Sequence, residues 1–304
     1  MPSFCFCFAM FRLDPDTFKK VHPAEYHRRF LANGVRPDGR SSLGSFRTAH
    51  VLSGAVTTAH GSALARLGST TALCGVKAEV AVPNAQTPAH GFVVANVDFP
   101  ALCNPAFRAG APAEFAQSVS EAVADVARRC VDLESLCIEP DRAVWVLHAD
   151  IVFLNYEGGA IDAALLALLA ALKNTRLPTK TVYSKTDGVV RASAGKTVSL
   201  ALTRFPVSST FGVVEAAAQF DGGVGSKGVG VVVMADPTEE EDAVVASKVT
   251  VVVDSGSGEL MGTFGGAMGV NVLEDCIDSA QTRAKEVYSV IEAAEKAAEK
   301  AKIN

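Results

Sequence analysis

The sequence predicts an α+β fold made of two halves, each running through strands and closing on a helix. Three observations carry this reading. Between Phe46 and Val82 the chain is rich in Val, Thr, Ala and Leu, with glycines at 54, 61, 68 and 75, a spacing that predicts successive antiparallel strands. After Pro112, residues Phe115, Val119, Val123 and Val126 recur at intervals of three and four with Glu and Asp between them, which predicts a helix with one apolar face. The second half repeats the order more loosely. Strands are expected near Val198 to Thr203, Phe211 to Glu215, Val229 to Met234, Val249 to Val253 and Glu259 to Thr263, followed by a helix from about Asn271 to Lys302.

The remaining elements follow in order. Residues 1–17 form a leader, after which the halves are expected to divide as 18–180 and 181–304. Phe18, Val21, Tyr26, Phe30 and Leu31 stand among charges in an amphipathic lead-in spanning 15–33. The Pro-Asp-Gly of RPDGR (36–40) forces a turn, because Pro presets φ and Gly accepts a positive one. A strand from Ala143 to Leu154 and an apolar helix to Lys173 close the first half. The glycine-rich run Asp221 to Gly228 reads as a mobile hairpin connection, and the Ala/Glu/Lys tail from Glu292 to Lys302 as a solvated, frayed helix end.

With 304 residues, 49% of them hydrophobic, the chain can bury one large core or two moderate ones. A net charge of −5 argues against a free-standing nucleic-acid binder, so any contact with a polyanion must be local or shared with partners. The seven cysteines form no C-x-x-C pair and sit in apolar surroundings, which fits reduced thiols rather than a disulfide framework. The apolar start lacks a basic n-region and reads poorly as a secretory signal. The most apolar interior stretch, Ile161 to Leu172, is far short of the roughly 20 residues a membrane span requires, so no membrane partner is expected.

The most informative local feature is the turn Tyr156-Glu157-Gly158-Gly159-Ala160-Ile161-Asp162. An apolar strand feeds it and an apolar helix leaves it, so backbone N–H groups at the helix start could face an anion. No Arg, Lys, Ser or Thr lies in it. Amides alone leave developing charge on phosphate poorly compensated, so the turn has the build of a phosphate cradle without its chemistry.

Other motifs are weaker. Asp236 and Asp242, six apart after an apolar strand, could hold Mg²⁺ or serve as acid and base, but spacing alone favours a solvated acidic turn. Gly195-Lys196-Thr197 resembles the end of a Walker A loop, yet Val190 stands where its first glycine belongs. The glycines of 222–228 do not open a helix as a dinucleotide fingerprint would. The six histidines lack metal-ligand spacing, and His148, inside an apolar strand, reads as a satisfied core residue. Arg36, Arg40, Arg66, Lys77, Arg108 and Arg142 are scattered singly and read as surface or structural charges. Arg108 stands out for its place in a Pro/Gly-rich loop before a helix, where a guanidinium could reach phosphate. No metal and no cofactor is expected.

FKKVHPAEYHRRF, RPDGR, GSALARLGSTTALCGVKAEVA, NVDFPALCNPAFRAGAPAEFAQ, VWVLHADIVFLNYEGGAIDAALLALLAALKN and VLEDCIDSAQTRAKEV together resemble the ribonuclease PH family, over residues 18 to about 295. The resemblance implies a pseudo-duplicated fold of the ribosomal protein S5 domain 2-like class. Active members degrade RNA from its 3′ end by phosphorolysis, with a loop of the form D-G-G-[ST]-R and a pair of aspartates six apart. Glu157-Gly158-Gly159 matches the loop's beginning, with Glu for Asp, but Ala160-Ile161 stands where Ser/Thr and Arg belong. Asp236 and Asp242 match the aspartates and are read as vestigial.

The likeness is nearer still to ring subunits of the eukaryotic RNA exosome. That implies a non-catalytic member of a six-membered ring of similar subunits, with cap subunits, an associated nuclease and RNA as partners, and Arg108 and Arg142 as RNA-contact candidates. It further implies work in the nucleus, nucleolus and cytoplasm. Two alternatives stay open: a phosphorolytic exoribonuclease completed by a neighbouring subunit, and a small-molecule or nucleotide binder.

Overall fold

The computed structural model describes residues 15–32, 35–179, 181–184, 187–192, 195, 197–215 and 231–303. The glycine-rich run 221–228, Lys196 of the Walker-like triplet and most of the 1–17 leader lie outside them. The chain opens with two short helices, α1 (Pro15–Val21) and α2 (Pro23–Ala32). Strands β1 (Ala49–Ser53), β2 (Gly61–Leu67), β3 (Thr70–Ala81) and β4 (Phe92–Asp98) follow, then helix α3 (Glu114–Cys130). Strands β5 (Cys137–Glu139) and β6 (Ala143–Asn155) lead into helix α4 (Ala160–Asn174). Short strands β7 (Arg176–Pro178), β8 (Thr181–Ser184), β9 (Val189–Ala192) and β10 (Thr197–Ser199) connect the halves. The second half holds β11 (Pro206–Glu215), β12 (Val231–Ala235), a 3-10 turn at Glu241–Ala243, β13 (Ser247–Asp254), β14 (Leu260–Gly265) and the long helix α5 (Val270–Ile303).

The first sheet runs β1-β2-β3-β6-β4, with β5 paired to β6, and the second runs β12-β11-β13-β14. Strands β1, β2 and β3 are antiparallel neighbours, as the glycine spacing predicts. Strand β4 escaped the sequence reading, although Val93, Ala95 and Val97 alternate there and all three are buried. It pairs parallel to β6, and α3 makes the crossover between them. On α3 the buried residues Ala116, Val119, Ala122, Val123, Val126, Ala127 and Cys130 form a single apolar face, whereas Phe115, expected on that face, is 40% exposed at the helix start.

Helix α4 is apolar on every side because it is covered on every side. It packs on β1, β2 and β3 of the first sheet, and on β11 and α5 of the second half, so Ala163 through Leu172 are all buried. Small residues make the approach close: a Cβ at Gly61 of β2 would lie 2.6 Å from the Ala171 carbonyl oxygen. Along α5, Cys276, Ala280, Ala284, Val287 and Ile291 recur at three and four and are buried. The first two join the core of the second sheet and the last three the core of the first. The helix continues to Ile303 where fraying was expected, and Glu295 within that tail pairs with Lys173 at 3.1 Å.

One further expectation is corrected, and two arginines read as surface or structural charges prove structural. Arg36, read as a scattered charge, is 1% exposed and bonds to Glu241 and to the carbonyls of Ala235 and Asp236. Arg40 also reaches the carbonyl of Asp236, at 2.8 Å, so the RPDGR turn clamps the end of β12. His148 is not a core residue: its side chain is 41% exposed and stands 3.9 Å from Glu79 across the open face of the sheet.

Candidate functional site at the glycine turn

Strand β6 delivers its last residue into the turn Tyr156-Glu157-Gly158-Gly159, and α4 leaves from it. Gly158 and Gly159 adopt φ of +87° and +67°, a region that costs any residue with a Cβ. Gly159 is the N-cap of α4 and offers no side chain to its first amides. Space adds a second reason for glycine. A Cβ on Gly158 would stand 2.8 Å from the amide of Glu239 and 2.9 Å from the carbonyl of Pro237. The phosphate-type turn of the first half therefore lies in direct contact with the acidic turn of the second.

The centre of this seam is Arg47, which sequence reasoning passed over. Its Nη2 donates to Oδ1 of Asp236 at 2.6 Å, and its Nε and backbone N–H both donate to Oδ2 at 2.9 Å. The same guanidinium donates to the carbonyls of Glu157 at 3.0 Å and Gly158 at 3.3 Å. Thr70 completes the frame: its hydroxyl donates to the Gly158 carbonyl at 2.8 Å and accepts the Glu157 N–H at 3.0 Å. The one signal of Arg47's role is its isolation, a cation entering a strand between small and apolar neighbours.

Asp236 is 1% exposed and sits at φ +49°. Burial alone would raise its carboxyl, but the Arg47 hydrogen bonds and charge prevail and hold it below the ordinary carboxylate range. Asp242 is placed differently. It pairs with the Nζ of Lys248, a half-exposed side chain, and burial pushes its carboxyl upward against that pairing. The two aspartates that match the family's pair are thus held by separate cations, one inside the seam and one at its mouth. No cluster of three or more metal-ligating side chains occurs among the described residues.

A third carboxylate, Asp162, stands in the first turn of α4. It is buried, its Oδ2 accepts the Thr210 N–H at 3.0 Å, and its Oδ1 has no hydrogen-bond partner among the described residues. Burial, aided by the nearby Asp236 charge, raises its carboxyl to about 6.

The two arginine candidates lie far apart. Arg108 is exposed in the loop that follows β4, at the same end of the sheet as Glu157. Arg142 is exposed in the turn before β6, at the opposite end of that strand, a separation of about 40 Å over its length. The structure brings Glu157, Gly158, Gly159 and Asp236 together, with Asp242 nearby, and it leaves Arg142 outside.

Two sheets that share a central buried helix, and meet where a glycine turn faces an acidic strand end, define a two-half α+β fold with that turn at its seam. Models of the 3′ exoribonuclease family match the chain over residues 45–178 (domain 1) and 205–283 (domain 2), and the chain belongs to this ribonuclease PH family. It is 34% identical to the exosome complex component rrp43 of Schizosaccharomyces pombe over 273 residues, covering 88% of this chain and 95% of that protein. It is 34% identical to the exosome complex component Rrp42 of Methanopyrus kandleri over 265 residues, covering 86% of this chain and 92% of the relative. Among solved structures, a chain of the Archaeoglobus fulgidus exosome with RNA bound to the active site superposes with a TM-score of 0.73 at 26% identity, covering 88% of this chain and 96% of that one.

Proposed function

We propose that this chain is a non-catalytic ring subunit of an RNA exosome, packing against other ribonuclease PH-like subunits and lining part of the path by which RNA reaches a separate nuclease. One observation carries the non-catalytic part: in the family's phosphate turn, the side chains after Gly159 are Ala160 and Ile161, and Arg47 is spent on Asp236 and on the turn's own carbonyls. Loss of one preorganised donor costs on the order of 10²–10³ in rate, and here two are replaced. The exosome names of relatives that match nearly the whole chain support the ring assignment.

The same proposal assigns cap subunits and RNA as partners. It also assigns ribosomal RNA maturation and RNA turnover as the processes, and nucleus, nucleolus and cytoplasm as the compartments. Arg108 and Arg142 are both proposed as RNA contacts, Arg108 on the turn's side of the subunit and Arg142 at the opposite end of β6. We further propose a division of the halves near residue 180. A ring subunit carries faces meant for neighbours, so the chain purified alone is expected to self-associate.

The test is release of nucleoside diphosphates from RNA by the reconstituted ring with phosphate and Mg²⁺, repeated with Asp236→Ala and Asp242→Ala. Diphosphate release that stops in Asp242→Ala, or in an Asp236→Ala variant that still assembles folded in the ring, would return the chain to the enzymes. The expected result is no release attributable to this subunit, with copurification and mass spectrometry identifying its ring neighbours.

A further inference from the structure

Beside the degenerate turn lies a cavity of about 190 Å³ whose walls include Phe115, Val119, Tyr156, Ile161, Phe264 and Lys248. Its size is that of one ring: an apolar protein cavity of about 150 Å³ takes benzene. The ring centroids of Phe115 and Tyr156 are 6.1 Å apart at 63°, an edge-on arrangement that offers both a ring face and a ring edge to a third aromatic group. They belong to an aromatic stack in which Phe99, Phe107 and Phe153 also pack, and those contacts hold the two rings in place.

Charge selects among ring-bearing ligands. Two carboxylates stand beside wall residues: Asp242 pairs with Lys248, and Asp242 and Glu239 both lie near enough to the Tyr156 hydroxyl to disfavour its ionisation. Burial raises the Glu239 carboxyl against its 2.5 Å bond from Asn104, and the neighbouring carboxylates of Asp242 and Glu157 raise it further. Lys248, the one Lys or Arg among the described wall residues, is already paired with Asp242. A nucleotide would bring its phosphate into this acidic rim, whereas an aromatic amino-acid side chain arrives on a neutral backbone.

From the cavity's size, walls and rim, we infer that the former phosphate position is a receptor for a single uncharged aromatic side chain presented by a neighbouring protein chain. The inference rests on the reading that the turn no longer holds phosphate. Ala160 and Ile161, which replace hydroxyl and guanidinium, are then the residues that turned an oxyanion site into an apolar one. The aromatic group would stack against Phe115 and Tyr156, and its backbone would lie near Lys248 at the mouth.

The test uses the full chain as a fusion to a soluble carrier, with N-acetyl-4-fluorophenylalaninamide observed by fluorine NMR. Saturable binding is expected, weakened at least about tenfold by Val119→Phe, which fills the cavity from α3, and by Ile161→Trp, which fills it from α4. Either folded variant suffices. Absence of saturable binding, or binding unchanged in a folded variant, overturns the receptor while leaving the loss of phosphate chemistry intact. Displacement of the probe by uridine monophosphate or by inorganic phosphate overturns both.

Discussion

Arg47 grips both carboxylate oxygens of Asp236, at 2.6 Å and 2.9 Å, across 189 residues of sequence. In doing so it fastens the strand end of the second half to the turn of the first, whose carbonyls it also holds. An aspartate bound in this way anchors the two halves to each other.

Removing either partner is expected to leave a buried charge uncompensated. Arg47→Met and Asp236→Asn should each cost about 3–5 kcal/mol, and the double variant less than their sum. Urea unfolding of the three variants measures the coupling. Because the Asp236 carboxyl is held below its ordinary value, the pair's stabilisation is complete above the ordinary carboxylate pKa and is lost as pH falls through the depressed one.

Arg36 and Arg40 stand four residues apart and differ in weight. The Arg36 side chain and Glu241 are fully buried partners, whereas the Arg40 side chain is 11% exposed. Arg36→Met is expected to destabilise by roughly 3–5 kcal/mol, and Arg40→Ala by about 1–2 kcal/mol, read as shifts in unfolding midpoint.

Asp162 works in the opposite direction to Asp236. Its folded carboxyl titrates at about 6, above its unfolded value, so the native state holds the proton more tightly. Stability from this group is present below the unfolded value and falls as pH rises toward about 6, by on the order of 2–3 kcal/mol. Asp162→Asn should flatten that slope and raise stability at pH 7.5, with the Thr210 N–H still accepted by the amide oxygen.

Restoring the family's side chains tests what was lost. Ala160→Thr with Ile161→Arg is expected to give measurable phosphate binding by titration calorimetry at low salt, because a hydroxyl and a guanidinium rejoin the amides of α4. Diphosphate release should remain absent, since Asp236 stays locked to Arg47.

Much of the architecture is legible in the chain because it is written locally. The alternation of β2 and β3, the one-sided periodicity of α3 and the five-residue seam of α5 each follow from short-range pattern. The turn is legible for the same reason: two glycines and no lysine, arginine, serine or threonine are facts about adjacent positions. Strand β4 was missed because proline and glycine around it hid a clear alternation. The connecting strands β7 to β10 were largely missed because three- or four-residue strands carry little periodicity.

What the sequence by itself determined is the family, the α+β plan and the chemical deficit at 157–161, since each is a matter of which residues are neighbours along the chain. Tertiary structure alone decided what the surviving acids do. Asp236 and Asp242 look equivalent in sequence, yet folding buries one against Arg47 and turns the other toward Lys248. A carboxylate's role depends on which cation reaches it and on how much water remains, and only long-range packing sets either.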